Sequence, residues 1–300
     1  MAIRRARPFW SAVLVVGAAA AVAISVAVVR ATAGAAQTDP RPNVIIILVD
    51  DMGWSDIGSY GSEIATPNLD ALAARGVRFT QFYSTPRCSP SRASLLTGLY
   101  PHQAGMGHLD NVVREGSSGT TGRLNDRSVT IAEVLREAGY FTAMSGKWHL
   151  GQDNGSPPWQ RGFDRVLSLR AGGMFFPNQN FRGGDDALTS RSREPLYLDG
   201  IATPRDSPVF GEQWYSTYLW TDFGLKFIDQ AREAKKPFFL YLPHNAPHFP
   251  LMAPPELIAK HRGKYMAGWD TLREERYRRQ RKAFFNFKVT MASSKMTDQG

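Results

Sequence analysis

The single cysteine of this chain, Cys88, lies in the segment TPRCSPSRASLLTG. Ser89 is a good N-cap residue and Pro90 a good first helical residue, so we expect a helix to begin at Pro90. Cys88 would then lie just before a helix N-terminus, where free backbone N–H groups and the helix dipole favour an anion. Arg92 falls in the first turn of the same helix. The segment therefore suits a tetrahedral oxyanion such as sulfate or phosphate.

Two further interpretations of Cys88 stay open at this point. A helix N-terminus lowers the pKa of a thiol, so Cys88 could act as a thiolate nucleophile. The loop of cysteine-dependent phosphatases, however, needs an arginine at the position that Ser94 occupies here. The remaining interpretation is a structural cysteine without reactivity.

Three apolar segments have strand-like composition, and ionisable residues follow each of them. The segments and the residues that follow are 43–49 with Asp50 and Asp51, 140–144 with Lys147 and His149, and 238–242 with His244 and His248. In open α/β sheets, ligands bind outside the carboxyl ends of the strands. Three strands would therefore deliver acids, a lysine and histidines to one edge, which predicts a site there.

The neighbours Asp50 and Asp51 are candidate metal ligands. Side chains of adjacent strand residues point to opposite faces. Both carboxylates can bind one ion only where the strand ends and the chain bends, which Gly53 permits. Their oxygens suit Ca²⁺, and secondarily Mg²⁺, rather than zinc. Capping of a loop is the alternative role for such a pair.

His244 and His248 have the i, i+4 spacing of a helical zinc site. Prolines at positions 243, 247 and 250 exclude a regular helix there, so the zinc motif fails. The two histidines remain candidates for proton transfer from a loop, with a structural role as the alternative. The chain also lacks a G-x-S-x-G nucleophile elbow and a nucleotide phosphate loop.

Helix signals separate the strand-like segments. The predicted helices run from Thr66 to Gly76, from a capping box at Thr130 to Gly139, and over about 219–234. Strands that alternate with helices indicate an α/β fold with a mostly parallel, mixed sheet between layers of helices. The Gly- and Arg-rich segment 151–208 gives no prediction.

The charge of the chain is unevenly distributed. Thirty-six basic and 27 acidic residues give a formal net charge of +9. Residues 1–36 hold four arginines and no acidic residue, and residues 272–282 hold six basic and two acidic residues. Nucleic-acid binding needs basic residues gathered around a recognisable module, and the sequence contains none. We therefore expect no nucleic-acid partner, and we expect 272–282 to be the solvated face of a helix.

Residues 1–36 have the composition of a signal peptide or an N-terminal membrane anchor. Three arginines precede an uncharged apolar run over 9–29, which Arg30 ends. About 20 apolar residues are long for a signal-peptide core and just enough to span a membrane. Small residues follow at 31–36, and residues 37–42 form a linker. We expect an exported protein, periplasmic or secreted, that meets a membrane only through this N-terminal segment.

The segment CSPSRASLLTG resembles the signature C-x-P-S-R-x-x-x-L-T-G of the type I sulfatases. These are arylsulfatase-like, formylglycine-dependent enzymes of the alkaline phosphatase-like superfamily. The segments NVIIILVDDMGWSDIGSYG, TPNLDALAARGVRFTQFY, GYFTAMSGKWHLG and APHFPL agree with the same family. The resemblance covers residues 42–279 and implies a sulfatase catalytic α/β domain over 43–282.

The resemblance also implies a modified residue and a metal ion. A formylglycine-generating enzyme would oxidise Cys88 to formylglycine (3-oxoalanine). One hydroxyl of its hydrate would attack the sulfur of a sulfate ester, and the other would then expel sulfate. The implied calcium ligands are Asp50, Asp51 and residue 88. The implied catalytic residues besides Cys88 are Arg92 on the formylglycine hydrate, Lys147 and His149 on sulfate and the diol proton, and His248 on the leaving alcohol.

The sequence departs from the family after about Lys282. Members of the family continue to an Asp-Asn-Gly triplet, which completes the calcium site, and then to a further lysine. Here Asp298-Gln299-Gly300 imitates the triplet only superficially. We therefore expect a sulfate ester hydrolase with its C-terminal part missing and a divergent tail over 283–300. An inactive form of it, a phosphate or phosphonate ester hydrolase of the same superfamily, and a non-catalytic, anion-binding exported protein all stay open.

Overall fold

The computed structural model describes residues 41–152, 156–177 and 194–284. In these residues, one sheet contains six strands in the order β1-β6-β2-β3-β4-β5. The strands are β1 Val44–Leu48, β2 Phe141–Lys147, β3 Arg165–Leu169, β4 Leu196–Leu198, β5 Ile201–Thr203 and β6 Phe238–Pro243. The first four strands in this order pair in parallel, whereas β4 pairs antiparallel with both β3 and β5. The predicted mixed, mostly parallel sheet is confirmed.

Helices cover both faces of the sheet. They are α1 Pro67–Arg75, α2 Cys88–Thr97, α3 Ile131–Glu137, α4 Ser216–Glu233, α5 Pro255–Ala259 and α6 Trp269–Phe284. Successive residues of β6 point to opposite faces of the sheet. Leu240 therefore packs in one apolar cluster with residues of α4, and Phe239 and Tyr241 pack in a second cluster with residues of α2 and α3. The predicted layered α/β fold is confirmed.

The first strand differs from its prediction. Its continuous apolar sequence favours burial on both faces, but Ile45 and Ile47 are 48% and 53% exposed. β1 is an edge strand of the sheet, and α4 packs on β2, β3 and β6. The expectation of two covered faces is therefore wrong for the described residues.

The starts of two helices follow their sequence signals. α1 begins at Pro67 after Thr66 and ends before Gly76, as predicted. Before α3, the Thr130 hydroxyl accepts a hydrogen bond of 3.1 Å from the Glu133 amide, and the Glu133 carboxylate accepts one of 2.6 Å from the Thr130 amide. This reciprocal capping box satisfies two backbone donors that the helix leaves unpaired.

The start of α2 corrects one prediction. The helix begins at Cys88, and Arg87 occupies the cap position. Ser89 is fully buried, and its hydroxyl has no hydrogen-bond partner among the described residues. Ser89 is therefore already helical and is not the cap. Cys88 nevertheless lies at the helix N-terminus, as predicted from the sequence.

The segment that gave no prediction contains three short strands. β3, β4 and β5 all lie within 151–208 and extend the sheet beyond β2. Each has five residues or fewer, and β4 and β5 form a hairpin over Asp199-Gly200. β4 and β5, with three residues each, show too few alternations for a sequence pattern to stand out.

The basic segment 272–282 lies in α6, which has no buried residue. The expected solvated helix is confirmed, but part of its charge is paired. The Arg276 guanidinium donates to both carboxylate oxygens of Glu63 and, over 2.5 Å, to Asp56. These ion pairs fix α6 against the segment between β1 and α1.

The N-terminal segment 1–36 and most of the linker 37–42 lie outside the described residues, as do Asp298, Gln299 and Gly300. In the part of the chain that the structure describes, no helix has the length and apolarity needed to cross a membrane.

Gly146 permits a close approach of β2 to β6 beside the predicted site. Its φ is +138°, and a Cβ there would lie 2.1 Å from the carbonyl oxygen of Pro243. We expect Gly146→Ala to lower the free energy of unfolding by about 2 to 3 kcal/mol in urea denaturation, because two paired backbones must separate. Gly98 also has a positive φ (+69°) but has nothing within 4 Å of an added Cβ. Gly98→Ala should cost only about 1 kcal/mol, and equal losses for the two variants would contradict this account.

Candidate active site

Three neighbouring strands bring the predicted ionisable residues together. In the sheet, β6 lies between β1 and β2, and all three run in parallel. Asp50 follows β1, Lys147 is the last residue of β2, and His248 lies in the loop after β6. Since the carboxyl ends of parallel strands meet at one edge, these side chains converge. The prediction that three strands bring these side chains to one edge of the sheet is confirmed.

Asp50 is the buried centre of this cluster. Its carboxylate lies 2.5 Å from Lys147 Nζ and 3.4 Å from Arg92 Nη2. The side chains of Asp50, Lys147 and Arg92 are 5%, 0% and 1% exposed. Burial raises the pKa of the Asp50 carboxyl, but Arg92 and Lys147 outweigh this effect, so the pKa lies below its usual range. Asp50 is therefore an anion held between two buried cations.

Asp51 is placed differently from its neighbour. Its φ is +60°, so the chain bends at Asp51 itself, two residues before Gly53. Its side chain is 58% exposed, and the carboxylate lies 3.7 Å from His248 Nε2. The bend that the sequence required is present. It leaves Asp50 in the interior and Asp51 near the surface of the site.

Cys88 lies between His149 and His248, the two histidines to which the family resemblance assigns proton transfer. Hydrogen bonds to His149 and His248 lower the pKa of the Cys88 thiol to about 6, against the opposing effect of burial. The hydrogen bond to Cys88 raises the pKa of His248, which burial opposes. The ligand atoms of Asp50, Cys88 and His248 lie within 4.8 Å of one another. Position 88 therefore lies beside Asp50 and His248 in the cluster.

Arg92 lies one turn after Cys88 in α2, and its guanidinium reaches the cluster around Asp50. Its Nη1 donates to the carbonyl oxygen of Lys147 over 2.6 Å. Its Nε and Nη2 are buried without a hydrogen-bond partner among the described residues, although Nη2 forms the ion pair with Asp50. Buried N–H groups of a guanidinium are costly to leave unpaired. This arginine is therefore suited to an additional oxygen acceptor.

His149 has a partner that the sequence analysis did not identify. His149 Nε2 lies 3.3 Å from Asp110 Oδ1, and the two side chains are 9% and 7% exposed. Asp110 belongs to the long segment between α2 and α3, in the sequence HLDN. No regular spacing connects it with β2, so only an arrangement of loops in space could reveal it.

His244 lies in different surroundings from His248. Burial lowers the pKa of His244 to about 4, so its ring is neutral at physiological pH. Its backbone N–H donates to the carbonyl oxygen of Leu48 over 2.8 Å and joins the ends of β6 and β1. Of the two histidines after β6, His248 is the one that faces Cys88.

A pocket of about 370 Å³ opens beside the cluster. Cys88, His149 and His248 lie along it. Further lining residues come from the segments 109–111 and 169–174, and they include Asp110, Asn111 and Arg170. The pocket can admit a small polar group to the N-terminus of α2, where the reactive position lies.

The donor atoms fit a part of a calcium site. Asp50 offers a buried carboxylate, and Asp51 a second one, but Ca²⁺ takes six to eight oxygen ligands. The sulfur of Cys88 and the ring nitrogen of His248 are softer donors that calcium does not prefer. An oxygen at position 88 in place of sulfur would improve the match. The two carboxylates of the described residues would thus fit part of a calcium coordination shell and supply fewer oxygens than the ion takes.

Comparison with known proteins agrees with this geometry. A family model described as Sulfatase matches residues 42–291. The chain belongs to the sulfatase family. It is 42% identical over 252 residues to an uncharacterized sulfatase of Schizosaccharomyces pombe, covering 80% of this chain and 44% of the relative. It is 38% identical over 256 residues to an arylsulfatase of Klebsiella aerogenes, covering 82% of this chain and 51% of the relative.

Solved structures of similar proteins have the same fold. The crystal structure of Ps i-CgsB superposes with a TM-score of 0.63 at 34% identity and covers 81% of this chain and 55% of its own. The structure of BT4656 in complex with D-glucosamine-2-N,6-O-disulfate gives a TM-score of 0.53 at 28% identity, covering 74% of this chain and 37% of its own. The sulfatase chain thus spans about half the length of the proteins it matches.

Proposed function

We propose that this sulfatase hydrolyses sulfate esters by the arylsulfatase type of reaction. One observation carries the proposal: the C-x-P-S-R signature places Cys88 at the N-terminus of α2, with Arg92, Lys147, His149 and His248 around it. Cationic and N–H groups around one reactive position stabilise the charge that develops on the oxygens of a transferring sulfuryl group. The family assignment favours sulfate over phosphate as the substrate anion.

Cys88 would act after conversion to formylglycine by a formylglycine-generating enzyme. As a hydrate, formylglycine supplies one hydroxyl that attacks sulfur and a second whose deprotonation releases sulfate. The pocket beside Cys88 leaves position 88 accessible to an ester, while the thiol itself is only partly buried. A covalent nucleophile divides a difficult displacement into two easier steps.

The surrounding side chains have separate tasks in this proposal. Arg92 holds the oxygen atoms at position 88 with the N–H groups that lack a partner among the described residues. His149 lies against Cys88 and accepts the proton of the second hydroxyl. His248 donates a proton to the leaving oxygen, which is consistent with the raised pKa of its ring. Lys147 shares the neutralisation of Asp50 and is close enough to the cluster to attract a sulfate oxygen.

A calcium ion would add positive charge beside the carboxylates of Asp50 and Asp51. Asp50 and Asp51 would hold the ion together with an oxygen at position 88, and the bound ion would act as a Lewis acid on a sulfate oxygen. A bound ion would share the Asp50 carboxylate with Lys147, whose Nζ now lies 2.5 Å from it. We also propose that the protein acts outside the cytoplasm, because residues 1–36 resemble an export signal or anchor.

Conversion of Cys88 tests the proposal directly. We expect mass spectrometry of the peptide that contains Cys88 to show an aldehyde after co-expression of the full chain with a formylglycine-generating enzyme. The matched control is the same chain expressed without that enzyme, which should retain the thiol. An intact thiol in both samples would rule out the formylglycine mechanism.

The converted protein then distinguishes the substrate classes. Parallel assays with an aryl sulfate and an aryl phosphate, both with added Ca²⁺, should show faster release of the phenol from the sulfate. A preference for the phosphate would overturn the proposed substrate class and leave the fold assignment intact.

A further inference from the structure

Arg170 places a further cation at the sheet edge that carries the site. It follows β3 directly, and β3 pairs in parallel with β2, so the two strands end on the same side. The register pairs Leu169 with Lys147, and the His149 N–H donates to the Arg170 carbonyl oxygen over 2.7 Å. A fourth strand therefore contributes an ionisable residue to this edge, beside the three that bring Asp50, Lys147 and His248.

The end of β3 lies to one side of the reactive position. In the sheet order, β3 is two strands away from β6. Neighbouring strands are about 4.8 Å apart, so the ends of β3 and β6 are separated by about 10 Å. The loop after β6 carries His248, whose ring has a nitrogen within 4.8 Å of the Cys88 sulfur. A ligand that contacts both Cys88 and Arg170 therefore has to be longer than one sulfuryl group.

One pocket contains both positions. Cys88 and Arg170 line the same pocket of about 370 Å³. This volume lies within the range of pockets that hold small organic ligands. The pocket can therefore admit part of the alcohol portion of an ester together with its sulfuryl group.

The guanidinium of Arg170 is loosely paired. Its Nη1 lies 3.7 Å from Glu194 Oε1, which is beyond hydrogen-bond distance, and the two side chains are 43% and 29% exposed. Asp110, the other carboxylate that lines the pocket, lies 3.3 Å from His149 Nε2. A partly exposed ion pair without a hydrogen bond contributes little to stability, so Arg170 can exchange Glu194 for another anion at little cost.

Arg205 also lines the pocket but has a different task. Its side chain is buried, and its Nε donates to the backbone carbonyl oxygen of Glu194 over 2.7 Å. Arg205 thus fixes the backbone of Glu194. Of the two arginines, Arg170 is the one that an incoming ligand can reach.

We propose that Arg170 forms a subsite for a second anionic group, a carboxylate or a second sulfate, on the alcohol portion of the sulfate ester. Its planar fork of N–H donors fits two oxygens of such a group. The placement of the first sulfate at residue 88 rests on the proposed function. Glu194 holds the guanidinium at the pocket and competes with the ligand for it. The preferred esters then carry at least two negative charges.

Binding to the unconverted full chain tests this proposal, because the thiol protein lacks the aldehyde needed for turnover. Isothermal titration calorimetry with added Ca²⁺ gives Kd for phenyl sulfate, for para-carboxyphenyl sulfate and for para-phenylene disulfate. The readout is the ratio of the phenyl sulfate Kd to that of each doubly charged ester. A ratio cancels any change in the folded fraction of a variant.

Two variants should change this ratio in opposite directions. We expect a ratio of about ten in the wild type, because a charge-assisted hydrogen bond to the second anion is gained. Arg170→Gln should lower it to about two or less, since the charge is lost. Glu194→Gln should raise it about threefold, since the competing carboxylate is lost. The control is Arg232→Gln, which makes the same charge change at a residue that is 76% exposed on α4, and it should keep the wild-type ratio.

Three results would overturn the subsite: a wild-type ratio near one for both doubly charged esters, no binding of any of the three esters, or a ratio that Arg170→Gln leaves unchanged. A lower ratio in Glu194→Gln would contradict the competition for Arg170. The converted protein separates this proposal from the proposed function. If it cleaves none of the esters while the binding ratios hold, the proposed function fails and the subsite stands. If it cleaves phenyl sulfate and the ratios are near one, the subsite fails and the function stands.

Discussion

Cys88→Ala is expected to abolish sulfate ester hydrolysis, with a loss of kcat on the order of 10⁶-fold, as is typical when a covalent nucleophile is removed. Alanine has no sulfur for conversion to formylglycine, so neither hydroxyl of the hydrate can form at position 88. The remaining cations would still bind an anion but would have no group to attack sulfur. The measurement is the initial rate of phenol release from an aryl sulfate by the co-expressed full chain.

The matched control for this variant is Ser94→Ala, in the same helix. Ser94 lies two turns beyond the reactive position and is not part of the proposed machinery, so its replacement should leave the rate within about twofold of the wild type. Circular dichroism should show the same helix content for both variants, because alanine is the best helix former. Measurable turnover by Cys88→Ala would refute position 88 as the source of the nucleophile.

Asp50→Asn is expected to cost about 3 to 5 kcal/mol of unfolding free energy in the absence of calcium. The asparagine has nearly the same shape, but it leaves Lys147 and Arg92 as two buried cations without a counter-ion. Lys147 is fully buried and Arg92 is 1% exposed, so neither charge can reach water without local unfolding. Urea denaturation in the presence of a calcium chelator measures this loss.

Asp51→Asn is the natural comparison for this variant. Asp51 is 58% exposed, and asparagine tolerates the positive φ of this position, so we expect a change within about 0.5 kcal/mol. The two substitutions make the same chemical change at neighbouring positions and differ in burial. If both variants unfold at the same urea concentration, the buried ion cluster around Asp50 is not a source of stability.

Several features of this sulfatase were predictable because they depend on short-range patterns. The apolar runs of β1, β2 and β6 and the capping box of α3 depend on neighbouring residues, so their signals are local. The prediction that Asp50, Lys147 and His248 meet at one sheet edge needed only the rule that parallel strands end on the same side. The placement of Cys88 at the start of α2 likewise follows from one contiguous signature. The resemblance of that signature to the sulfatases was confirmed by the family match over residues 42–291.

Further features depend on contacts between distant segments, and only the tertiary structure decided them. The exposure of Ile45 and Ile47 depends on how far α4 extends across the sheet. That distance cannot be predicted from the sequence of β1. The contrast between buried Asp50 and exposed Asp51 arises from a bend whose direction is set by packing around it.

Asp110 is the clearest such case. It lies 39 positions before His149 in a loop without periodicity, yet the fold closes the distance between their side chains to 3.3 Å. Local sequence determines which elements form and what chemistry their ends can offer, because backbone propensities and caps act within a few residues. Which side chains become partners is decided when the chain packs, because burial and ion pairing depend on the three-dimensional surroundings of each group.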